Sequence, residues 1–486
     1  MSAAGDYFES RNPAHTDEVI GIFPRSGTYE SSDAVLAAKA AYPKWRLVPV
    51  PARAAILFKA AELMRTDKEQ LTNLMTREMG KNLDESKGDV QEAIDMCEFI
   101  AGEGRRFYGV TTTSELPNKH AETRRMPMGV AALITPWNFP IAIPSWKIAP
   151  ALLCGNTVVF KPAEDTPACA EAFVRILLEA GLDKYPGVLN MVHGYGPEVG
   201  EPLVNHPDVA LVSFTGSSEV GKMIAMQCAS KFKKYSLEMG GKNATIVMDD
   251  ADLELAVNAC WWGAFGTCGQ RCTASSRLIV HEKVLDEFTK RFVERTAATR
   301  VGNGLEPGIE VGPLINKRAL EKIIRYMQIA RDEGVHLLCG GEPYSRSERP
   351  DLAKGYFFKP TVLSAPDSKM RINQEEMFGP VTAIMPAKDL EDAIRIANGV
   401  PYGLSTAIIT QNIRNGEIAK RDLESGITYV GSCSTTGAEV HLPFGGTKQT
   451  GNGHREGLGA LDIFSEQKTI YVDFSGKMQR AQIDNQ

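Results

Sequence analysis

A cysteine and a glutamate, each set among small residues, carry the chemistry this chain most plainly offers. Cys272 lies in Gly269-Gln270-Arg271-Cys272-Thr273-Ala274-Ser275-Ser276, and Glu238 lies upstream in Leu237-Glu238-Met239-Gly240-Gly241-Lys242. A thiolate attacks a carbonyl carbon and holds the product covalently. A carboxylate then deprotonates the water that releases it. The chain has 9 cysteines, and the ordinary reading of any one is a small buried hydrophobe. Cys272 departs from that reading because glycine and polar neighbours permit close backbone approach and an open site.

Other segments could serve these two groups. Asn138, in Thr135-Pro136-Trp137-Asn138-Phe139-Pro140, is either a turn residue or an amide donor for an oxyanion. Gly216-Ser217-Ser218-Glu219-Val220-Gly221 follows a strand and opens a helix. Its backbone N–H groups can face a phosphate with the helix dipole assisting, and Ser217 or Ser218 would equally cap an ordinary helix. Gly194-x-Gly196-x-x-x-Gly200 approaches a dinucleotide fingerprint with its spacing off by one residue. Lys161 ends a strand, and Glu164 follows three residues on. A carboxylate accepting from a ribose 2′-hydroxyl repels a 2′-phosphate.

Together these segments resemble the aldehyde dehydrogenase superfamily. The Glu238 and Cys272 segments are similar to its glutamate and cysteine signatures, and Thr135 to Pro140 to its oxyanion segment. Lys161 to Glu164 are similar to its adenosine-ribose clamp, and Phe214 to Gly221 to its pyrophosphate turn. Glu375-Glu376-Met377-Phe378-Gly379-Pro380 and Pro443-Phe444-Gly445-Gly446-Thr447-Lys448 complete the set in the family's order. The resemblance implies NAD-dependent oxidation of an aldehyde to its acid, with NADP less favoured. Cys272 would form a thiohemiacetal and then a thioester, Asn138 and the Cys272 N–H would hold the oxyanion, and Glu238 would activate the hydrolytic water. Thr135, Pro136, Trp137, Lys161, Glu164, Gly194, Gly216, Ser217, Gly221, Gly240, Glu376 and Phe378 would contact the cofactor. Lys147 and Glu456 would offer a proton exit route from Glu238.

The same resemblance points to a substrate tunnel of Phe139, Trp146, Trp262, Phe265, Arg271, Thr273, Gly437, Ala438 and Phe444. Two departures from the family pattern stand out. His454 is inserted where the family runs from glycine directly to Arg455-Glu456, and the loop from Ser432 to Leu442 is long. Thr436-Gly437-Ala438-Glu439 in that loop resembles the carboxylate anchor of the amino-acid semialdehyde branch, and Arg271 beside the nucleophile would also favour an anion. A semialdehyde-specific enzyme is therefore one alternative. A CoA-dependent acyl-transferring reductase is another, although it would not need Glu238. A thiol esterase is a third, although no histidine motif accompanies Cys272.

Composition is consistent with this reading. At 486 residues and 43% hydrophobic content the chain can bury a large core in two or three domains, and a net charge of −6 provides no field for nucleic acid or an anionic membrane. The start, Met1 to Asn12, lacks an apolar export segment, so unpatterned cysteines fit a reducing cytoplasm. The 8 histidines are scattered, and no metal site is evident. Between Gly129 and Phe160 the only charged residue is Lys147, a length that raises a membrane span. Pro136, Pro140, Pro144 and Pro150 break it, each costing about 3 kcal/mol in a helix interior.

The elements that must position these residues follow from hydrophobic period. A helical beginning between Pro51 and Gly80 gives way to short apolar runs at Val130–Ile134, Thr157–Phe160, Val188–Val192, Val209–Phe214 and Ala244–Met248. Amphipathic stretches such as Ala168–Ala180 separate them, which implies a parallel sheet covered on both faces. A helix near Leu253–Ala264, a strand Arg277–His281 and a helix Lys283–Ala298 read as a restart, with the nucleophile before that second unit's first strand. The expected fold is α/β, with a Rossmann-like NAD-binding domain (1–105 and 130–238) and a second α/β catalytic domain (239–435). An oligomerisation arm (106–129 and 465–486) and a returning segment (436–464) complete it. Lys468 to Phe474 alternates as a strand, and in the family such a strand pairs across subunits. A homo-oligomer follows as the expected assembly, a dimer or a dimer of dimers.

Overall fold

The computed structural model describes residues 6–435, 439–453, 457 and 459–478. Two parallel sheets dominate these residues. The first has five strands in the order Leu189–Met191, Thr157–Lys161, Val130–Ile134, Val209–Thr215, Lys234–Glu238, all parallel. The first of these in the chain is central, and its successors add on one side and then on the other. That reversal opens a crevice at the carboxyl ends of the strands.

Why these runs become buried strands is visible in their side chains. Ala131, Leu133, Val158 and Phe160 enter one apolar cluster, and Val130, Ala132, Ile134 and Val159 enter another. Alternate residues thus fill cores on both faces, which removes any polar alternation from the sequence. Helices Ala142–Cys154 and Pro167–Glu179 cover one face, and helices Thr28–Trp45 and Ser218–Ala229 cover the other. Every residue of Ala142–Cys154 is buried, and the helix stops at Gly155 with φ 95°, a left-handed cap. It is the charge-poor stretch of the sequence, and among the described residues no helix is long and apolar enough to cross a membrane.

The second sheet has seven strands, ordered His336–Cys339, Thr361–Ser364, Val381–Ala387, Arg277–His281, Ala244–Val247, Ser405–Ile409, Ile427–Val430. All neighbours are parallel except the first pair. Ala244–Val247 belongs here, so Cys272 precedes the second strand of this sheet in chain order, not its first. The apolar period alone cannot assign a strand to one sheet or the next, since both sheets bury it equally. Arg277, 1% exposed, donates from its guanidinium to the carbonyls of Lys242, Ile396 and Ala397. It thereby closes the end of the Leu390–Asn398 helix onto the glycine-rich turn after Glu238.

A third sheet pairs Ser465–Asp473 with Lys119–Pro127, and Lys119–Pro127 with Thr111–Thr113, all antiparallel. The strand expected to reach another subunit therefore has one edge satisfied within its own chain.

One buried ion pair fixes the wall between the helices near Cys272. Lys81 Nζ and Asp89 Oδ2 are 2.7 Å apart with both side chains fully buried, and Asp89 Oδ1 also accepts from Ala142 N–H. Asp89 lies in the helix Leu83–Gly102, which Asn82 caps by accepting from Glu85 N–H. Removing one partner strands the other charge in a dry interior. Lys81→Met is expected to cost about 3–5 kcal/mol, read as a lower denaturation midpoint. The double variant Lys81→Met/Asp89→Asn should recover much of that loss.

Candidate functional site

Cys272 follows a turn that the backbone enters with difficulty. After the helix Leu253–Phe265, residues Thr267, Cys268 and Gly269 have φ of 52°, 56° and 65°. Two non-glycine residues in the left-handed region store strain, so the surroundings must over-determine them. Glu85 Oε1 does so by accepting from Thr267 N–H, Thr267 Oγ1 and Arg271. Gln270 donates to the carbonyls of Thr267 and Pro313 and accepts from Ile315 N–H. At Gly269 a Cβ would stand 2.1 Å from the Gly379 carbonyl oxygen, so no larger residue fits there.

Asn243 finishes the placement. Its amide donates to the Cys272 carbonyl at 2.7 Å and to the Ala274 carbonyl at 3.1 Å, and its oxygen accepts from Ser405 N–H. The sequence reading missed Asn243, because an asparagine after Gly-Gly-Lys carries no signal that distinguishes a buried clamp from a turn residue.

Two cavities border the thiol, and a third adjoins one of them. One of about 190 Å³ is bordered by Cys272, Asn138, Gly240, Glu376, Phe378 and Thr215. A second, of about 510 Å³, runs from Cys272 past Phe139, Trp146, Trp262, Thr273 and Phe444. A third, of about 410 Å³, lies at the carboxyl ends of the first sheet and shares Pro136, Trp137 and Thr215 with the smallest. Cys272 thus stands between an aromatic channel on one side and the sheet crevice on the other.

Asn138 is 3% exposed, and its amide donates to the Gln270 carbonyl at 3.1 Å, two residues before the thiol. Glu376 accepts from Gly241 N–H at 3.0 Å. Burial pushes its carboxyl up, while that N–H, Lys322 and Lys242 pull it back. Gly240 is required beneath it, since a Cβ there would fall 2.2 Å from a Glu376 carboxylate oxygen. Phe378, at φ 60°, stands edge-on to Trp137 with centroids 5.6 Å apart. Glu238, 2% exposed, ends its strand just before the cavity residues Met239 and Gly240 and bridges to Gly451. Lys147 is buried and donates to Ser213 Oγ at 2.8 Å. Its expected partner in a proton route, Glu456, lies outside the described residues, as do Gly437 and Ala438.

The third cavity has the donors and acceptors that a dinucleotide needs. Lys161 Nζ lies 3.5 Å from Glu164, and both line the cavity with Thr135, Gly216 and Ser217. Ser217 Oγ caps the helix Ser218–Ala229 by accepting from Val220 N–H. Thr215 Oγ1 is buried with no hydrogen-bond partner among the described residues, and Gly196 faces open space. Asp165, Arg318 and Lys322 also border these cavities and were missed, being polar residues of a turn and a helix with no motif around them. Burial pushes Asp165 up to about 6, and Arg318 approaches Glu164 to 3.7 Å.

Four expectations require correction. Gly194 does not border the cavity. With φ 142°, a Cβ there would meet Val199 and the Ser26 carbonyl, and Gly196 and Gly200 occupy the wall instead. Gly221 packs under Met239, whose sulfur would lie 2.1 Å from an added Cβ, so it is a helix-packing glycine. Phe265 is fully buried in the core of the second sheet, stacked on Phe292, and not in the aromatic channel. Arg271 does border the channel, but its guanidinium pairs with Glu85 at 2.7 Å and lies over the Trp262 ring, so it is not a free cation for an anionic substrate.

Comparison with known proteins gives the geometry its family. The family model described as "Aldehyde dehydrogenase family" matches residues 1–470. The chain is 41% identical over 475 residues, 97% of each protein, to the α-ketoglutarate semialdehyde dehydrogenase of Haloferax volcanii. It is 38% identical over 462 residues to the betaine aldehyde dehydrogenase of Bacillus subtilis, covering 95% of this chain and 93% of that one. The crystal structure of betaine aldehyde dehydrogenase from Staphylococcus aureus in complex with NAD+ superposes with a TM-score of 0.95 at 33% identity, covering 98% of this chain and 93% of that one. A thiol held between a sheet crevice and an aromatic channel, on a chain with these relatives, belongs to the aldehyde dehydrogenase family, and the protein is an oxidoreductase that acts on an aldehyde group.

Proposed function

We propose that the protein oxidises an aldehyde to its carboxylic acid with NAD through a thioester on Cys272. The single observation that carries this is the position of Cys272, which borders both the channel from solvent and the cavity leading to the sheet crevice. Cys272 Sγ attacks the aldehyde carbon, and the Asn138 amide with the Cys272 N–H receives the charge that develops on oxygen. A bound nicotinamide supplies the acceptor for the departing hydride. Trp137, Phe378 and Glu376 form the wall on which the ring and its ribose would rest. Glu238 takes a proton from the water that attacks the thioester carbon, releasing the acid and the thiolate. Lys147 and Glu456 are the proposed outlet for that proton.

NAD-bound relatives support the cofactor class. Glu164 favours NAD over NADP, because a second phosphate beside its carboxylate would be repelled. A CoA-acylating reaction is disfavoured by the buried Glu238, which such a reaction would not need. A thiol esterase is disfavoured because no histidine borders either cavity at Cys272 among the described residues. The relatives named for α-ketoglutarate semialdehyde, at 41% and 39% identity, support the semialdehyde branch as the substrate class ahead of betaine aldehyde, whose enzyme is 38% identical. For assembly, the exposed Met223 and Met226 of the helix Ser218–Ala229 and the outer edge of Ser465–Asp473 are the surfaces proposed to pair in a homodimer or a dimer of dimers.

The first test is NADH formation at neutral pH without CoA. Cys272→Ala should abolish it. Glu238→Gln should lower steady turnover by about two to four orders of magnitude yet retain a single burst of NADH, since only release is blocked. Asn138→Ala should cost about 2.7–4 kcal/mol of transition-state stabilisation, read in kcat. Absence of NADH from every aldehyde, with CoA restoring it, would overturn the hydrolytic reading. For the cofactor, Glu164→Gln should raise kcat/KM with NADP relative to NAD by about tenfold. An unchanged ratio would remove Glu164 from that role.

A further inference from the structure

The backbone beside Cys272 is also held by a group of buried hydroxyls that the mechanism does not use. Ser434 lies just beyond Ile427–Val430, the outer strand of the second sheet. Its hydroxyl donates to the Thr273 carbonyl at 2.9 Å and stands 2.7 Å from Ser275 Oγ. Ser275 Oγ in turn stands 3.0 Å from Thr245 Oγ1. Counting protons fixes the direction of these bonds, because a hydroxyl has one to give and a carbonyl has none. Ser434 gives its proton to Thr273, so it accepts from Ser275, and Ser275 accepts from Thr245. All three side chains belong to residues 0% exposed. They form a one-way chain, each bond polarising the next, that ends on the backbone one residue past the nucleophile.

That carbonyl belongs to a tight turn. Ala274 N–H donates to the Arg271 carbonyl at 3.1 Å, which closes residues 271–274 with Cys272 as the second of the four. The Arg271 carbonyl and the Cys272 N–H share one trans peptide and point opposite ways. The far half of the turn therefore sets where the Cys272 N–H points. Ser434 holds the Thr273 carbonyl, and Asn243 holds those of Cys272 and Ala274. Ser405 ties the two clamps together. Its N–H donates to Asn243 Oδ1 at 3.0 Å, and its hydroxyl donates to the Ser434 carbonyl at 2.5 Å. The next residue, Thr435, borders the aromatic channel and shares a hydrogen bond of 2.7 Å with Thr273 Oγ1.

We infer that Ser434 is a positioning residue for the reaction, aiming the Cys272 N–H at the aldehyde oxygen through the Thr273 carbonyl. The inference rests on the Cys272 reading proposed above. Without the hydroxyl, the Thr273 carbonyl loses its donor and Ser275 its acceptor in a dry interior, and the turn shifts to regain them. A displacement of about 1 Å at a reacting group costs about 100-fold in rate. An N–H that must meet charge developing on oxygen is sensitive to its aim, whereas the thiol keeps its exposure. The loss falls on the chemical steps and not on binding of the aldehyde.

The test follows NADH formation from hexanal by wild type, Ser434→Ala, Ser275→Ala and the double variant, each where circular dichroism shows it folded. Ser434→Ala should lower kcat by about 10- to 100-fold and leave KM within about twofold. Ser275→Ala should lower kcat by about fivefold, and the double variant should lose no more than Ser434→Ala alone, since both act through one carbonyl. Alkylation of Cys272 by iodoacetamide, which uses the thiol but no oxyanion, should stay within about twofold of wild type from pH 6 to pH 9. A kcat unchanged in Ser434→Ala, losses that multiply in the double variant, or alkylation that falls in step with kcat would each overturn the inference. If Ser434→Ala does not fold, Ser405→Ala, which frees the same segment from its other side, decides by the same readouts. A lowered kcat with unchanged alkylation supports the inference, and an unchanged kcat ends it. If wild type makes no NADH from any aldehyde, the dehydrogenase reading fails by itself. Hydrolysis of p-nitrophenyl acetate, which needs the thiol and the oxyanion peptide but no nicotinamide, then carries the comparison. A loss of about tenfold in Ser434→Ala upholds the positioning role, and an equal rate removes it.

Discussion

A thiol on a loop is aimed only by whatever holds the loop, and here side-chain hydrogen bonds to backbone hold it. No helix or strand contains Cys272. Asn243 grips its carbonyl, Gln270 and Glu85 fix the left-handed turn before it, and Asn138 ties that turn to the first sheet. These clamps are buried, so each is stronger than it would be in water and costly to leave unmade. Everything else in the fold serves to bring the clamps to one place. The first sheet supplies Asn138 from beyond one strand and Glu238 from the end of another, while the second supplies Asn243 and the floor beneath the thiol.

How much of this the chain declared in advance depends on what a residue type implies without its neighbours. The strands at Val130–Ile134 and Arg277–His281 were legible to the residue, because five consecutive buried positions between glycine and polar breaks leave little choice. Cys272 and Glu238 were singled out because a reactive side chain among glycines has few ordinary uses, and the structure sets Cys272 and Asn138 on the wall of one cavity. Phe265 was misplaced because an aromatic at helical spacing near a nucleophile reads the same whether it faces a channel or Phe292. Arg271 was misread for a related reason. Its partner, Glu85, is far away in the sequence, and only the packing of the Leu83–Gly102 helix against the loop brings the carboxylate to the guanidinium. Asn243 and Arg318 were missed because their significance lies wholly in what the fold sets opposite them.

Glycine roles show the same limit more sharply. Gly194, Gly216, Gly221, Gly240 and Gly269 look alike on paper. Gly240 makes room for the Glu376 carboxylate and Gly269 for the Gly379 carbonyl, whereas Gly221 admits Met239 and Gly194 admits Val199. Which atom needs the space decides whether a glycine belongs to the site or to the packing behind it.

The backbone bridge between Glu238 and Gly451, together with the pairing of Ser465–Asp473 on Lys119–Pro127, has a consequence for how the protein comes into being. Both contacts join the chain's final stretch to segments made far earlier, and contacts of such sequence separation form late because their loop-closure entropy must be met first. The two sheets can assemble as synthesis proceeds, with Glu238 at an uncovered strand end. Only when the last part of the chain arrives is that carboxylate roofed and the third sheet closed. The surroundings of Glu238 and part of the channel wall at Cys272, which includes Val440 and Phe444, are thus supplied by the last stretch of the chain to be made.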